Sequence, residues 1–225
     1  MQAVTSVADL QALYGEPGEA SLIKVMPFLT PEYRLMLEAS PFVALSTVGP
    51  EGLDCSPRGD AGMVIHIEDE RTLMLPDWRG NNRIDSLANI VRDPRVALMF
   101  LIPGSNNAMR VNGKAIVTVD QEVTTRFTMD GRHPRSVVVI TIEEVYPQCA
   151  RALMRAELWN PEKHRDPKTL PSIGEMMQTI KAGFDGAAYD REWPGRARST
   201  CPSSNDLRLF GLWKSGVSGS VWGLI

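Results

Sequence analysis

From Pro41 onward the chain alternates apolar and polar positions in short runs broken by glycine, proline and charged turns. "PFVALSTV" (41–48) passes through "GPEG" into "LDCSPR" (53–58), which predicts a hairpin with Pro and Gly at its bend. "GMVIHI" (62–67), the polar turn "EDER" and "TLMLP" (72–76) predict another. "RVALMFLIPG" (95–104), "MRVNGKAIVTVD" (109–120) and "SVVVITIEEVYP" (136–147) read as further strands, the first so apolar that a central place in a sheet is expected. The count is about six strands with short helices between them. With few long helical crossovers, an antiparallel barrel or sandwich is expected rather than a doubly wound sheet.

Helical spacing marks the remaining segments. Residues 6–14 carry Ser6 at the cap, Val7, Leu10, Leu13 and Tyr14 near one face, and Gly15 at the stop. "LTPEYRLMLEAS" places Thr30 at a cap and Pro31 at the first helical position. In 83–92, Ile84, Leu87, Ala88 and Val91 keep the spacing of a half-buried helix. "QEVTTRFTM", "QCARALMRAELW" (148–159) and "SIGEMMQTIKAGF" also read as helical, and from about Asp185 the chain is loop-like. The expected organisation is an N-terminal helical segment (1–40) packed on a β core (41–147), then C-terminal helices (148–184) and a loop-rich tail (185–225).

Composition narrows the classes. The 225 residues are 43% hydrophobic and 23% charged, with a net charge of -3, so nothing draws the whole surface to nucleic acid or anionic lipid. Three widely spaced cysteines make neither a disulfide framework nor a zinc site, and a reducing, cytoplasmic setting is expected. The N-terminus lacks the basic and apolar regions of a signal peptide, and no apolar run has membrane-spanning length.

Candidate chemistry centres on "LPDWRGNNRIDSLANI", Leu75 to Ile90. Asn82 suits the N-cap of the predicted helix 83–92, with Asp85 at its N3 position, as in a capping box. Capping leaves Arg83 unexplained, because the helix dipole disfavours a cation in the first turn. Amide side chains, a glycine-bearing loop and Arg79 and Arg83 at one helix start also make an anion site. The two readings account for the pattern about equally well. Arg58, ending a strand in "CSPRGDAG", either joins that site or pairs with Asp54 or Asp60 at the surface. Arg110 and Asn112 alternate in phase within an apolar strand and so share a face, suiting a solvent edge, a ligand or a subunit contact.

Together "SPRGD", "LPDWRGNNRIDSL", "DPRVALMFLIPG", "MRVNGKA" and "CARALMRAELW" resemble, in order and spacing, the pyridoxamine 5'-phosphate oxidase-like flavoproteins over about residues 8–182. The branch most similar comprises FMN-dependent proteins of unknown substrate. The resemblance implies a six-stranded antiparallel split β-barrel and a homodimer holding FMN at the subunit interface. It implies that Arg58, Asn82 and Arg83 hold the FMN phosphate, with Asn81 of the same Gly-Asn-Asn-Arg turn among the cofactor-binding residues. Leu75, Pro76 and Asp77 would lie along the ribityl chain and ring edge, and Arg110 and Asn112 would approach from the interface strand, onto the partner's flavin. The Arg-x-His substrate clamp of the true oxidase has no counterpart in "GRARSTCPSSND", so vitamin B6 oxidation is not expected. Where the sister branch has Cys-Pro-Lys, this chain has "CARA", with Arg151 at the lysine position.

Other reactive residues read as structural. His66, His133 and His164 are not at metal-ligand spacing, Cys55 and Cys149 suit packing, Trp159 suits a core or interface anchor, and the methionines of "GEMMQ" suit a core. No catalytic site residue is assigned. The expectation is a homodimeric FMN-dependent oxidoreductase acting on an unidentified small molecule, with a nicotinamide as a possible donor. The alternative is a non-catalytic module holding FMN or haem.

Overall fold

The first hairpin forms where its alternation predicts. Strand β1 (Phe42–Gly49) turns its Val43, Leu45 and Thr47 side chains into the core, and β2 (Gly52–Gly59) runs back antiparallel beside it. Each buried aliphatic side chain of this kind contributes about 1.5–3 kcal/mol by leaving water. The computed structural model describes residues 1–78 and 80–200, with the side chains of 198–200 excepted. It divides into two compact units, Met1–Trp159 and Asn160–Ile225.

In the first unit, β3 (His66–Ile67), β4 (Thr72–Asp77), β5 (Arg95–Leu101), β6 (Ala108–Thr118) and β7 (Ser136–Gln148) complete a seven-stranded sheet in the order β2-β1-β5-β6-β7-β4-β3. Every pairing is antiparallel. The expected six-stranded closed barrel is therefore corrected to seven strands in an open sheet. One reason is local: residues 61–65 leave the sheet, bury Val64 and Ile65, and bond the Val64 N–H to the Ser40 carbonyl at 3.1 Å. Only a two-residue edge strand remains of the predicted 62–67. The open sheet nevertheless curves strongly, because Arg58 on β2 comes within 3.7 Å of Asp77 on β4, across four intervening strands of the order.

β5 is an interior strand, as expected, but only Val96, Leu98 and Phe100 are buried, and Met99 is exposed on the other face. At the bulge between Asn112 and Gly113, β6 packs so closely on β7 that a Cβ on Gly113 would stand 2.1 Å from the Thr141 carbonyl oxygen.

Helix α1 (Val7–Tyr14) has the predicted Ser6 cap, its hydroxyl accepting from the Asp9 N–H at 3.1 Å. Neither α1 nor α2 (Glu19–Ile23) buries a residue, so the N-terminal segment expected on the core begins to pack only near Met26, which bridges Val145. Helix α3 (Pro31–Glu38) starts at its predicted Thr30 cap and buries Leu37. Helix α4 (Asp85–Arg92) follows β4, and α5 (Gln121–Thr124) follows β6. The predicted helix 148–159 shrinks to α6 (Arg151–Arg155) because β7 continues through Gln148. Trp159 closes this unit, its indole N–H donating to the Ser105 carbonyl at 2.7 Å.

The second unit contains α7 (Ile173–Ile180), with a Ser172/Glu175 capping box, and α8 (Gly186–Thr200), a helix where loop was expected. Asp190 on α8 accepts from the Ser172 hydroxyl at 2.5 Å and from the Gly174 N–H at 2.9 Å, a tertiary cap that local sequence does not reveal. Met176 and Met177, expected in a core, are exposed. The expected tail beyond Thr200 lies outside the described residues.

Candidate functional site

An inward-facing polar row at the edge of the sheet founds the site. Cross-strand partners share a face, and the register pairs Arg58 with Val43, Ser56 with Leu45 and Asp54 with Thr47. Arg58, Ser56 and Asp54 therefore point to the side on which β1 buries its core residues. Helix α4 covers them. The Asp54 carboxylate accepts from the Ser56 hydroxyl at 2.9 Å and from the Ser86 hydroxyl in the first turn of α4 at 2.5 Å. Arg58 donates from Nη2 to Ser86 Oγ at 3.4 Å and faces Asp77 from Nη1. Neither surface partner considered for Arg58 is its closest ion pair; that is Asp77.

The seating of α4 depends on a polar face. Ser86, Asn89 and Ile90 are buried, and Asn89 donates to Thr47 Oγ1 at 3.2 Å. Ile84 and Val91, predicted to face the core, are 59% and 76% exposed. At 100° per residue the buried positions lie nearly opposite the predicted stripe. Hydrogen bonds to Asp54, Thr47 and Arg58 orient this helix, and apolar periodicity does not report them.

The helix start also differs from expectation. Asn82 has φ 59°, in the left-handed region that asparagine tolerates better than most residues, and does not cap. The Asn81 side chain accepts from the Arg83 N–H at 2.9 Å, so the chain turns there and α4 begins at Asp85, with Ile84 at the N-cap and no side-chain cap. Asp85 is consequently the first helical residue and not the N3 partner of a capping box. Its carboxylate pairs with Arg83, whose side chain is 78% exposed. The first-turn N–H groups are thus left without a side-chain acceptor, and their partial positive charge favours an anion.

Arg58 and Arg83 both act on the Asp54 carboxylate. Both lie near enough to Asp54 to hold its carboxyl below the usual carboxylate range, after the larger effect of the Ser86 hydrogen bond. Asp77 shifts the other way, because burial raises its pKa against the opposing pull of Arg58 and Arg135. The pair with Asp85 pushes the Arg83 pKa up.

The remaining predicted residues divide into two groups. Leu75 is buried in the core, Pro76 and Asp77 are half-buried, and all three end β4 beside the site. Arg110 and Asn112 do share a face, but it is the outer one, opposite the buried Met109 and Val111. Arg110 lies over the Tyr146 ring at 5.1 Å, and Asn112 donates to Glu144 at 2.9 Å. The sheet separates them from Arg58 within one chain.

Two participants, Ser86 and Arg135, were missed in the sequence reading, and Asp54 was considered only as a surface partner of Arg58. Ser86 has no signal beyond being a polar residue in a helix. Arg135 donates from Nη1 to the Asn82 side-chain oxygen at 2.9 Å, and its position just before a long strand was the available hint. The Trp78 indole N–H is buried with no hydrogen-bond partner, an uncommon state that an acceptor on a ligand would relieve. Two arginines acting on one carboxylate, an uncapped helix start and an orphaned donor fit an anionic, acceptor-rich group such as a flavin phosphate. Among the described residues no cluster of three or more His, Cys, Asp or Glu side chains is arranged to hold a metal. Cys55 and Cys149, expected to pack, are exposed.

Fold and site together define an antiparallel-sheet protein in which arginines, carboxylates and a serine meet at a corner between β2, β4 and the start of α4. The chain belongs to the pyridoxamine 5'-phosphate oxidase family, whose model matches residues 29–149, more than half of its length. Among solved structures, it is similar to HupZ of Group A Streptococcus, with 17% identity and a TM-score of 0.44, covering 53% of this chain and 93% of that one. It is also similar to an FMN-binding protein from Syntrophomonas wolfei, with 17% identity and a TM-score of 0.39 over 52% and 88% of the two chains. General Stress Protein 26 from Bacillus anthracis is another, with 16% identity and a TM-score of 0.36 over 51% and 88%. No curated protein sequence matches.

Proposed function

We propose that the protein is an FMN-dependent oxidoreductase acting on a small molecule other than pyridoxamine phosphate. The observation that carries this reading is the double reach of Arg58, to Ser86 on α4 and to Asp77 on β4, with Arg83 converging on the same Asp54 carboxylate. Arg58 and Arg83 hold the phosphate by charge-assisted hydrogen bonds, and the uncapped first turn of α4 supplies N–H donors. Asn81 and Asn82 shape the loop that admits it. The backbone of Leu75, Pro76 and Asp77 lies along the rest of the cofactor. When bound, FMN supplies hydride or electron transfer, so the protein's task is grip, orientation and control of water access.

The outer sheet face supports a homodimer. Met99 and Ile116 are exposed there beside Arg110 and Asn112, an apolar patch with polar anchors that suits a subunit interface. In that dimer Arg110 and Asn112 serve the partner's flavin. Among the described residues no helix is long and apolar enough to cross a membrane, and we place the protein in the cytoplasm.

A visible spectrum of the purified protein tests the cofactor. Flavin bands, with FMN released on heating, are expected; a colourless protein that takes up no FMN overturns the reading. Anaerobic bleaching by NADH or NADPH then identifies a nicotinamide donor.

A further inference from the structure

We propose that Arg135 is a third guanidinium of the phosphate site and sets the preference for a phosphorylated flavin over an unphosphorylated one, an inference that rests on the flavin reading above. The sheet register brings it there. Asp77 pairs with Ser136, so Trp78 and Arg135, the residues just beyond these two strand ends, stand at the same corner, within reach of Asn82. A tight turn bridging Met129 and Arg132, followed by Pro134, delivers the arginine to that corner.

Its guanidinium is aimed at the loop, donating to the Asn82 side-chain oxygen at 2.9 Å. It also acts electrostatically on Asp77, the same carboxylate that faces Arg58. Arg58 faces Asp77 from β2, while Arg135 stands just before β7, next in the sheet order to the strand that carries Asp77. The buried, unpartnered Trp78 N–H at the same corner is an independent sign that an acceptor belongs there. One Nη of Arg135 is engaged by Asn82, and a guanidinium has five N–H donors in all, leaving donors for a phosphate oxygen.

The test compares FMN with riboflavin by fluorescence titration of the full chain. For Arg135→Gln, FMN affinity is expected to fall about ten- to hundredfold, the scale of one charge-assisted contact, with riboflavin affinity unchanged. Arg135→Lys restores part of the loss, since it keeps the charge without the planar fork. If Arg135 merely steadies Asn82, Asn82→Gly reproduces the effect and the two substitutions together add nothing. A second, similar loss on adding Arg135→Gln to Asn82→Gly supports the proposal. Equal FMN binding by wild type and Arg135→Gln, or parallel losses of FMN and riboflavin, overturns it while the flavin reading stands. A wild-type chain that binds no FMN overturns both.

Discussion

The Nη2 of Arg58 lies 3.4 Å from Ser86 Oγ, which joins the far end of an edge strand to the first turn of a helix 28 residues later in the chain. Ser86 in turn donates to Asp54, two turns of the β pleat back along the same strand face. A single hydroxyl thus orients the arginine, holds the carboxylate and fixes the helix start.

This arrangement ranks the two principal arginines. Arg58 is 30% exposed and paired with a half-buried aspartate, whereas Arg83 is 78% exposed and paired at the surface. Arg58→Ala is expected to weaken FMN binding by about 2 kcal/mol, the scale of a buried charged hydrogen bond. Arg83→Ala should lose clearly less, because water and salt screen its contact. Isothermal titration at low and moderate salt checks both; equal losses would contradict the ranking, and no loss from Arg58→Ala would place the phosphate outside its reach.

The two aspartates of the corner titrate in opposite senses. Asp54 sits below its ordinary 3.8, mainly through Ser86, so its ionised form stabilises the fold above that pH. That contribution is lost as pH falls through the folded value. Asp77 sits above 3.8 because it is buried, so stability instead declines as pH rises from 3.8 through its folded value. Ser86→Ala should move the Asp54 midpoint upward toward 3.8, measured by carboxyl-carbon NMR. An unmoved Asp54 would mean that the hydroxyl contact does not set its charge.

Gly113 is required by close approach. An added Cβ would stand 2.1 Å from the Thr141 carbonyl oxygen and 3.1 Å from its carbon, both backbone atoms that cannot step aside. Gly113→Ala should destabilise the protein by about 2–3 kcal/mol through overpacking at the bulge. Urea unfolding gives the value, and a midpoint equal to wild type contradicts this account.

Gly49 has a similar constraint with a functional consequence. A Cβ there would meet the Asn89 side-chain oxygen at 2.1 Å, on the residue that bonds α4 to Thr47. Gly49→Ala should lower stability by about 1–3 kcal/mol and also weaken FMN binding, since displacing Asn89 tilts the helix whose start faces the phosphate. Full FMN affinity in the folded variant would separate the helix seat from the site.

Much of this molecule was legible as pattern. Alternating or apolar runs bounded by turn residues located β1, β2, β4, β5, β6 and β7, and the Ser6 and Thr30 caps fell where side-chain chemistry placed them. The linked motifs also identified the family. Helix α4 was the informative failure. Ile84, Leu87, Ala88 and Val91 satisfy helical periodicity, yet only Leu87 of them packs on the core, Ile84 and Val91 face solvent, and Ser86 and Asn89 are buried beside Ile90. Periodicity registers hydrophobic transfer, and here specific hydrogen bonds to buried polar partners outweigh it.

Local sequence, then, determined the elements, because backbone preference, capping and side-chain alternation act over a few residues. It also determined which residue types were available for an anion: arginines and asparagines beside a helix start. Tertiary structure alone decided which of them meet. The curvature of the sheet carries Arg58 to Asp77, the register of β4 with β7 delivers Arg135, and the sheet itself puts Arg110 and Asn112 on its opposite face. Charges interact through space, and only the completed fold sets the distances between residues remote in the chain.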